Sequence, residues 1–313
     1  MTIRHFFLAS AALVLILPGI VMAQDRLAAV ASFSILGDMV AEVGGDRVEI
    51  TTLVGPDGDA HVYQPTPQDA RAVAEAGVLF VNGLAFEGWL DRLVEASEYN
   101  GPVIVATDGI TPLEMVEGEH HGKEKQHAES EEKGDNHGGA DPHAWQSLAN
   151  ARIYIANIET GLTAADPEGA QTYAANAADY LARIDAVEAE IIAALSVLSE
   201  GGRTVVTSHD AFGYFADAFG LIFLAPEGMS TESEASAKDV AALITQIRGD
   251  EVSAVFVENI TDSRLVEQIA AETGARVGGT LYSDALSGVD GPAATYLEMM
   301  RHNATTLADA LAQ

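Results

Sequence analysis

QTYAANAADYLARIDAVEAEIIAALSVLSE, residues 171–200, runs thirty positions without glycine or proline. Tyr173, Ala177, Tyr180, Ile184, Val187, Ile191, Leu195 and Leu198 step by three or four, so one face is apolar and the pattern is helical. A continuous helix of that length would span roughly 45 Å at ~1.5 Å per residue. A long core helix of a single domain would satisfy the same pattern. Its place mid-chain favours a helix that bridges two domains and holds them at a nearly fixed angle.

On either side, short apolar runs alternate with amphipathic segments. Before the helix, strands are expected at Leu27–Ser32, Val48–Val54, Val78–Val81 and Val103–Ala106, with helices at Ile35–Val43, Gln68–Ala76 and Phe86–Ala96. After it, strands are expected at Thr204–Thr207, Phe223–Ala225, Val252–Val257 and Val277–Thr280, with helices from about Asp210, Ala237 and Ser263. Such alternation argues for an α/β fold of two lobes, each a parallel sheet flanked by helices. The expected division is 1–23 as signal peptide, 24–165 as first lobe, 166–200 as bridging helix and 201–313 as second lobe.

The first 23 residues stand apart. Arg4 and His5 precede an apolar run from Phe6 to Met22, and Val21-Met22-Ala23 is a small-x-small cleavage pattern. That is the layout of a secretory signal, and no later run reaches the roughly 18 apolar residues of a spanning helix. No cysteine follows to carry a lipid, so a free periplasmic monomer is expected, with no membrane insertion after cleavage.

The 313 residues carry 16 Lys and Arg against 47 Asp and Glu, a net charge of −31, with nine His and no Cys. Nucleic acid is excluded as a partner, because nothing offsets phosphate charge. Cations are attracted instead. Without cysteine there is no disulfide scaffold, thiolate zinc site or cysteine nucleophile, so a transition-metal site must use imidazole and carboxylate.

Residues 117–141, EGEHHGKEKQHAESEEKGDNHGGAD, hold four His, eight acids and five Gly, and no Val, Ile, Leu or Phe. Such a stretch has too little apolar surface to offset its ordering entropy, so a mobile loop is expected. His120, His121, His127 and His137 beside so many carboxylates suit weak, adaptable metal contact. The other histidines of the exported chain are His61, His143, His209 and His302. His61 ends the Gly/Pro/Asp cluster Val54-Gly-Pro-Asp-Gly-Asp-Ala-His61. His143 lies in Asp141-Pro-His-Ala-Trp145, where Pro142 keeps Asp141 extended. His209 follows the strand Thr204–Thr207, and Asp284 has the same placement after Val277–Thr280. In open α/β sheets, ligands bind beyond the carboxyl ends of strands. By position Asp210 and Asp284 are also plausible helix N-caps. His302, in Met299-Met-Arg-His-Asn303, reads as a helix-surface residue.

These stretches carry a resemblance. Gly55-Pro-Asp-Gly-Asp-Ala-His-Val-Tyr-Gln-Pro-Thr-Pro-Gln-Asp69 resembles the first-ligand motif of the metal-specific solute-binding proteins of bacterial ABC transporters. Val81-Asn-Gly-Leu-Ala-Phe-Glu-Gly-Trp89, Asp141-Pro-His-Ala-Trp145, Thr207-Ser-His-Asp-Ala-Phe-Gly-Tyr-Phe215, Phe256-Val-Glu-Asn259 and Tyr282-Ser-Asp-Ala-Leu286 continue it in order. The match spans essentially the whole exported chain and is nearest in type to the zinc-specific, ZnuA-like or AztC-like members. It implies two α/β lobes joined by one long helix, with the metal in the cleft between them.

Carried over position by position, the resemblance implies His61, His143, His209 and Asp284 as ligands of Zn2+, the transported ion. Asp57, Asp141 and Glu258 are candidates to hold the imidazole N–H groups. Manganese-type relatives usually place Glu where this chain has His209, and three imidazoles with one carboxylate suit zinc better than manganese. Some zinc-type members carry Glu just before the first His, where this chain has Ala60. The implied function is high-affinity capture of periplasmic zinc and delivery to an ABC permease, with a periplasmic zinc metallochaperone as a further candidate partner. A manganese or iron carrier on the same fold is the first rival. A periplasmic zinc hydrolase is the other, but it needs an open coordination position and a general base, and no His-Glu-x-x-His is present.

Overall fold

The computed structural model describes residues 26–114 and 139–312. The expected signal peptide and the four histidines of the acidic stretch lie outside those residues.

The first sheet holds β1 (Leu27–Phe33), β2 (Val48–Val54), β3 (Val78–Val81) and β4 (Val103–Val105), all parallel in the order β2-β1-β3-β4. Around it lie α1 (Ser34–Gly44), α2 (Pro67–Glu75), α3 (Leu90–Ala96) and α4 (Leu148–Ala165). The long helix α5 (Ala170–Leu195) follows. The second sheet, β5 (Thr204–Val206), β6 (Ile222–Leu224), β7 (Ala254–Glu258) and β8 (Arg276–Leu281), is again all parallel, in the order β6-β5-β7-β8. Its helices are α6 (Gly213–Phe219), α7 (Ala237–Gly249), α8 (Arg264–Thr273) and α9 (Tyr296–Leu311). In each sheet the strand order reverses at the first strand, which opens a crevice at the carboxyl ends of β1 and β3, and of β5 and β7. The two-lobe, parallel-sheet expectation holds.

All eight residues of the apolar stripe from Tyr173 to Leu198 are buried. Their face packs on α1 and α4 of the first lobe and on α9, which itself lies against β8. Salt bridges run from α5 to both sides: Glu188 to Arg152 of α4 at 2.7 Å, and Glu190 to Arg301 of α9 at 2.5 Å. The 26-residue helix spans ~39 Å. It ends at Leu195 rather than Glu200, and Arg203 donates to the carbonyls of Leu195 and of Leu198 just beyond it.

Two other helices start later than their apolar spacing suggests. α3 begins at Leu90, not Phe86, since Gly83, Leu84 and Ala85 all have positive φ and the Glu87 carboxylate accepts from the N–H groups of Asn82 and Gly83. α6 begins at Gly213, not Asp210, because the backbone of 208–210 is bonded to Glu258 and Gly228 instead. Neither Asp210 nor Asp284 caps a helix.

Asp38 of α1 sits where α1, α5 and α9 meet. Its Oδ2 accepts from Tyr296 N at 2.9 Å and from the Tyr180 hydroxyl at 3.5 Å. Burial pushes its carboxyl up to about 6, with Glu42 and Glu298 adding to the rise and the Tyr296 and Tyr180 donors opposing it. A raised carboxyl favours the neutral form in the folded state. Its stabilising contribution is therefore full at low pH and is lost as pH rises from ~3.9 through 6, by up to about 3 kcal/mol. Asp38→Asn, neutral throughout, should raise the thermal midpoint of the metal-free protein by several degrees near pH 7.5 and by little near pH 4.5. An equal offset at both pH values would remove Asp38 as the source.

Candidate metal centre

Four side chains converge where the carboxyl ends of the two sheets face each other. His61 comes from the loop after β2, His143 from the turn before α4, His209 from the turn after β5 and Asp284 from the segment after β8. All four are buried, and one donor atom from each lies within 4.8 Å of the other three. His61 Nε2 is 3.3 Å from His143 Nε2 and 3.2 Å from Asp284 Oδ2. His209 Nε2 is also 3.2 Å from Asp284 Oδ2, and His143 Nε2 is 3.6 Å from Oδ1. A tetrahedron with zinc–nitrogen bonds of ~2.0–2.1 Å separates its donors by about 3.3 Å.

The far nitrogens are held from outside. His143 Nδ1 is 2.8 Å from Asp141 Oδ1, which also accepts from the His143 backbone N–H at 2.9 Å. His209 Nδ1 lies 2.7 Å from Glu258 Oε2, while Glu258 Oε1 accepts from the N–H groups of Ser208 and His209. Behind His143 and His209 a carboxylate thus stands against Nδ1, which leaves Nε2 facing inward. Asp57 stands elsewhere: its Oδ1 accepts from Asn259 Nδ2 at 3.1 Å, and its N–H donates to Leu286 O. His302 faces Thr280 O at 3.0 Å and is no part of the cluster.

Below the rings lies an aromatic floor. Phe33, Phe86 and Trp145 pack with centroids 4.8–5.0 Å apart, His61 rests edge-on against Phe86 at 4.8 Å and His143 against Trp145 at 5.3 Å. Such surroundings exclude water, so charge within them must be matched. Burial works against a charged His209, yet the Glu258 and Asp284 carboxylates outweigh it and hold the imidazole well above the usual histidine range. Burial likewise works to raise Asp284, but His209 and His143 beside it hold its carboxyl well below the usual carboxylate range. Asp284 Oδ1 is buried without a hydrogen-bond partner, as suits a donor meant for a cation.

Several residues of this arrangement carry no signal in spacing alone. Glu87, buried in the first lobe, accepts from Ser32 Oγ at 2.6 Å and pins Asn82, whose Nδ2 donates to Pro142 O next to His143. Asp284 follows a residue held by the opposite lobe: Ser283 O accepts from Trp145 Nε1 at 2.9 Å and from Gln146 Nε2 at 2.8 Å. Only the Asn-Gly-x-x-x-Glu and His-x-Trp-Gln neighbourhoods could have hinted at them.

The model of a family described as "Zinc-uptake complex component A periplasmic" matches residues 29–310. The chain belongs to the ZnuA family. Members are metal-binding, substrate-binding components of ABC transporters. An iron-binding protein, YfeA of Yersinia pestis, is 34% identical over 91% of this chain and 86% of its own. A manganese-binding lipoprotein, MntA of Halalkalibacterium halodurans, is 33% identical over 92% and 90%. Among solved structures, a manganese-bound periplasmic metal-binding protein from Candidatus Liberibacter asiaticus superposes with a TM-score of 0.78 at 33% identity, covering 91% of this chain and all of that one. TroA of Treponema pallidum, a periplasmic zinc-binding protein, does so at 0.82 and 25% identity, covering 93% and 100%. This family match agrees with the resemblance read from the motifs, while the names of the relatives spread over iron, manganese and zinc. Among the described residues, no helix is long and apolar enough to cross a membrane.

Proposed function

We propose that this ZnuA-family protein captures Zn2+ in the periplasm through His61, His143, His209 and Asp284 and delivers it to an ABC permease. The observation that carries the reading is the donor set: three imidazole nitrogens and one carboxylate, with one donor atom from each within 4.8 Å of the others. Manganese and iron(II) favour more oxygen donors and higher coordination numbers than this set supplies, whereas zinc is satisfied by four. Asp141 and Glu258 orient His143 and His209. With four protein ligands there is no vacant position for an activated water, so the site holds metal without hydrolysing anything. The histidines at 120, 121, 127 and 137 add weak outer contacts that gather zinc, and a periplasmic metallochaperone supplies it.

The rival is a manganese or iron carrier, favoured by the names of the relatives at 33–34% identity. Metal analysis of protein purified without chelator, followed by competition titration, separates the two. Zinc should be recovered at one tight equivalent and resist displacement by manganese. Recovery of manganese or iron in preference to zinc would overturn the zinc reading and leave the family assignment intact.

A further inference from the structure

Two of the four donors are tied to each other across the cleft by a carboxylate that touches neither ring. Asp59 stands two residues before His61, in the loop after β2. Its Oδ1 accepts from the His61 backbone N–H at 2.9 Å. Its Oδ2 accepts from the Thr231 hydroxyl at 2.6 Å, on the second lobe. Thr231 belongs to the segment between β6 and α7, and that segment is bonded to the flanks of His209: Glu227 N donates to Ser208 O at 3.3 Å and Asp210 N donates to Gly228 O at 3.1 Å. One carboxylate thus connects the backbone that carries His61 to the backbone that carries His209.

The place of this contact sets it apart from the other cross-lobe bonds. Ser283, Leu286 and Asn259 bind the first lobe on the Asp284 side of the site, and the Tyr214 hydroxyl donates to Asp141 O and accepts from Leu113 N on the His143 side. The Asp59–Thr231 pair lies instead on a wall of an open cavity of about 480 Å3, shared with Ser208, Glu227 and Thr261. Ser208, which precedes His209, lines the same cavity, so the pair stands on the open flank of the His209 turn.

We propose that Asp59 is a positioning residue that latches the His61 loop to the Thr231 segment, and that the Thr231 hydroxyl sets how long the metal is retained. The inference rests on the four-ligand reading above. With the latch made, the His61 loop cannot withdraw from the cation without breaking the Asp59–Thr231 bond. With it broken, His61 can swing away singly, and release quickens while capture does not.

Thr231→Val is the decisive variant, since it keeps shape and removes only the hydroxyl. Stopped-flow release of zinc to a chelator should accelerate 5- to 10-fold, with the association rate and the metal-free thermal midpoint unchanged. Thr231→Ser, which restores the hydroxyl, should return release to the wild-type rate. Asp59→Ala should exceed Thr231→Val, because it also frees the His61 N–H, and adding Thr231→Val to it should change nothing further. A release rate for Thr231→Val within twofold of wild type overturns the latch. So does full additivity of the two substitutions. If the wild-type protein takes up no zinc, the four-ligand reading fails; tight zinc binding with an inert Thr231→Val fails the latch alone.

Discussion

His209→Ala should lower zinc affinity by roughly two to three orders of magnitude while the fold persists. Zinc held by four protein ligands is bound by about 10–16 kcal/mol, so one donor accounts for about 2.5–4 kcal/mol, with tenfold for each 1.4 kcal/mol. Water entering the gap would recover part of this, but the aromatic floor and full burial of the site leave it few partners. His302→Ala is the control: the same residue type in the same lobe, hydrogen-bonded to Thr280 O, with no expected change. Competition titration against a chromogenic chelator reads both. An unchanged affinity in His209→Ala would remove His209 from the ligand set and, with it, the imidazole majority on which the choice of zinc depends.

Glu258→Gln tests the layer behind the donors and should cost 10- to 100-fold in affinity. Glutamine keeps the size of the side chain, and its carbonyl oxygen can still accept from Ser208 N and His209 N. Its amide then places a donor beside His209 Nδ1, where a carboxylate oxygen stands at 2.7 Å. The imidazole is driven toward the tautomer with its proton on Nε2, the face meant for metal. The same change removes one of the two negative charges that hold His209 above the usual histidine range, so its pKa should fall. Fewer protons should then be released on metal uptake near pH 7 than from the wild type, a difference that titration in two buffers of unlike ionisation enthalpy reads directly. An affinity within threefold of wild type, with unchanged proton release, would reduce Glu258 to a backbone cap for Ser208 and His209.

The fold was legible because its signals are periodic. Alternating apolar runs, and a thirty-residue stretch with one apolar face, map directly onto two parallel sheets and α5. The convergence of His61, His143, His209 and Asp284 was legible only in part: each sits after a strand or before a helix, but spacing says nothing of distance across a cleft. The family motifs supplied that link. Asp141 and Glu258 could be named as partners because they lie in those motifs, and Asp57 was named for the same reason, yet its left-handed turn carries it to Asn259. Asp59 went unmarked because its partner is 172 positions away, on a loop with no distinguishing composition. Helix starts were misjudged at Phe86 and Asp210 for one cause. Apolar spacing does not register a buried glutamate that satisfies backbone N–H groups and so delays the helix.

The clamp on Ser283 has an evolutionary corollary. The backbone that presents Asp284 is gripped by Trp145 and Gln146, two and three residues after His143, so the two halves share one seam at the site. A chimera spliced within the long helix would join halves that each keep a sheet and helices, but would leave a tryptophan and a glutamine reaching for a carbonyl presented by a foreign loop. The halves of this chain are therefore not interchangeable cassettes, and a changed metal preference is expected from point changes within the intact chain rather than from exchange of a whole lobe.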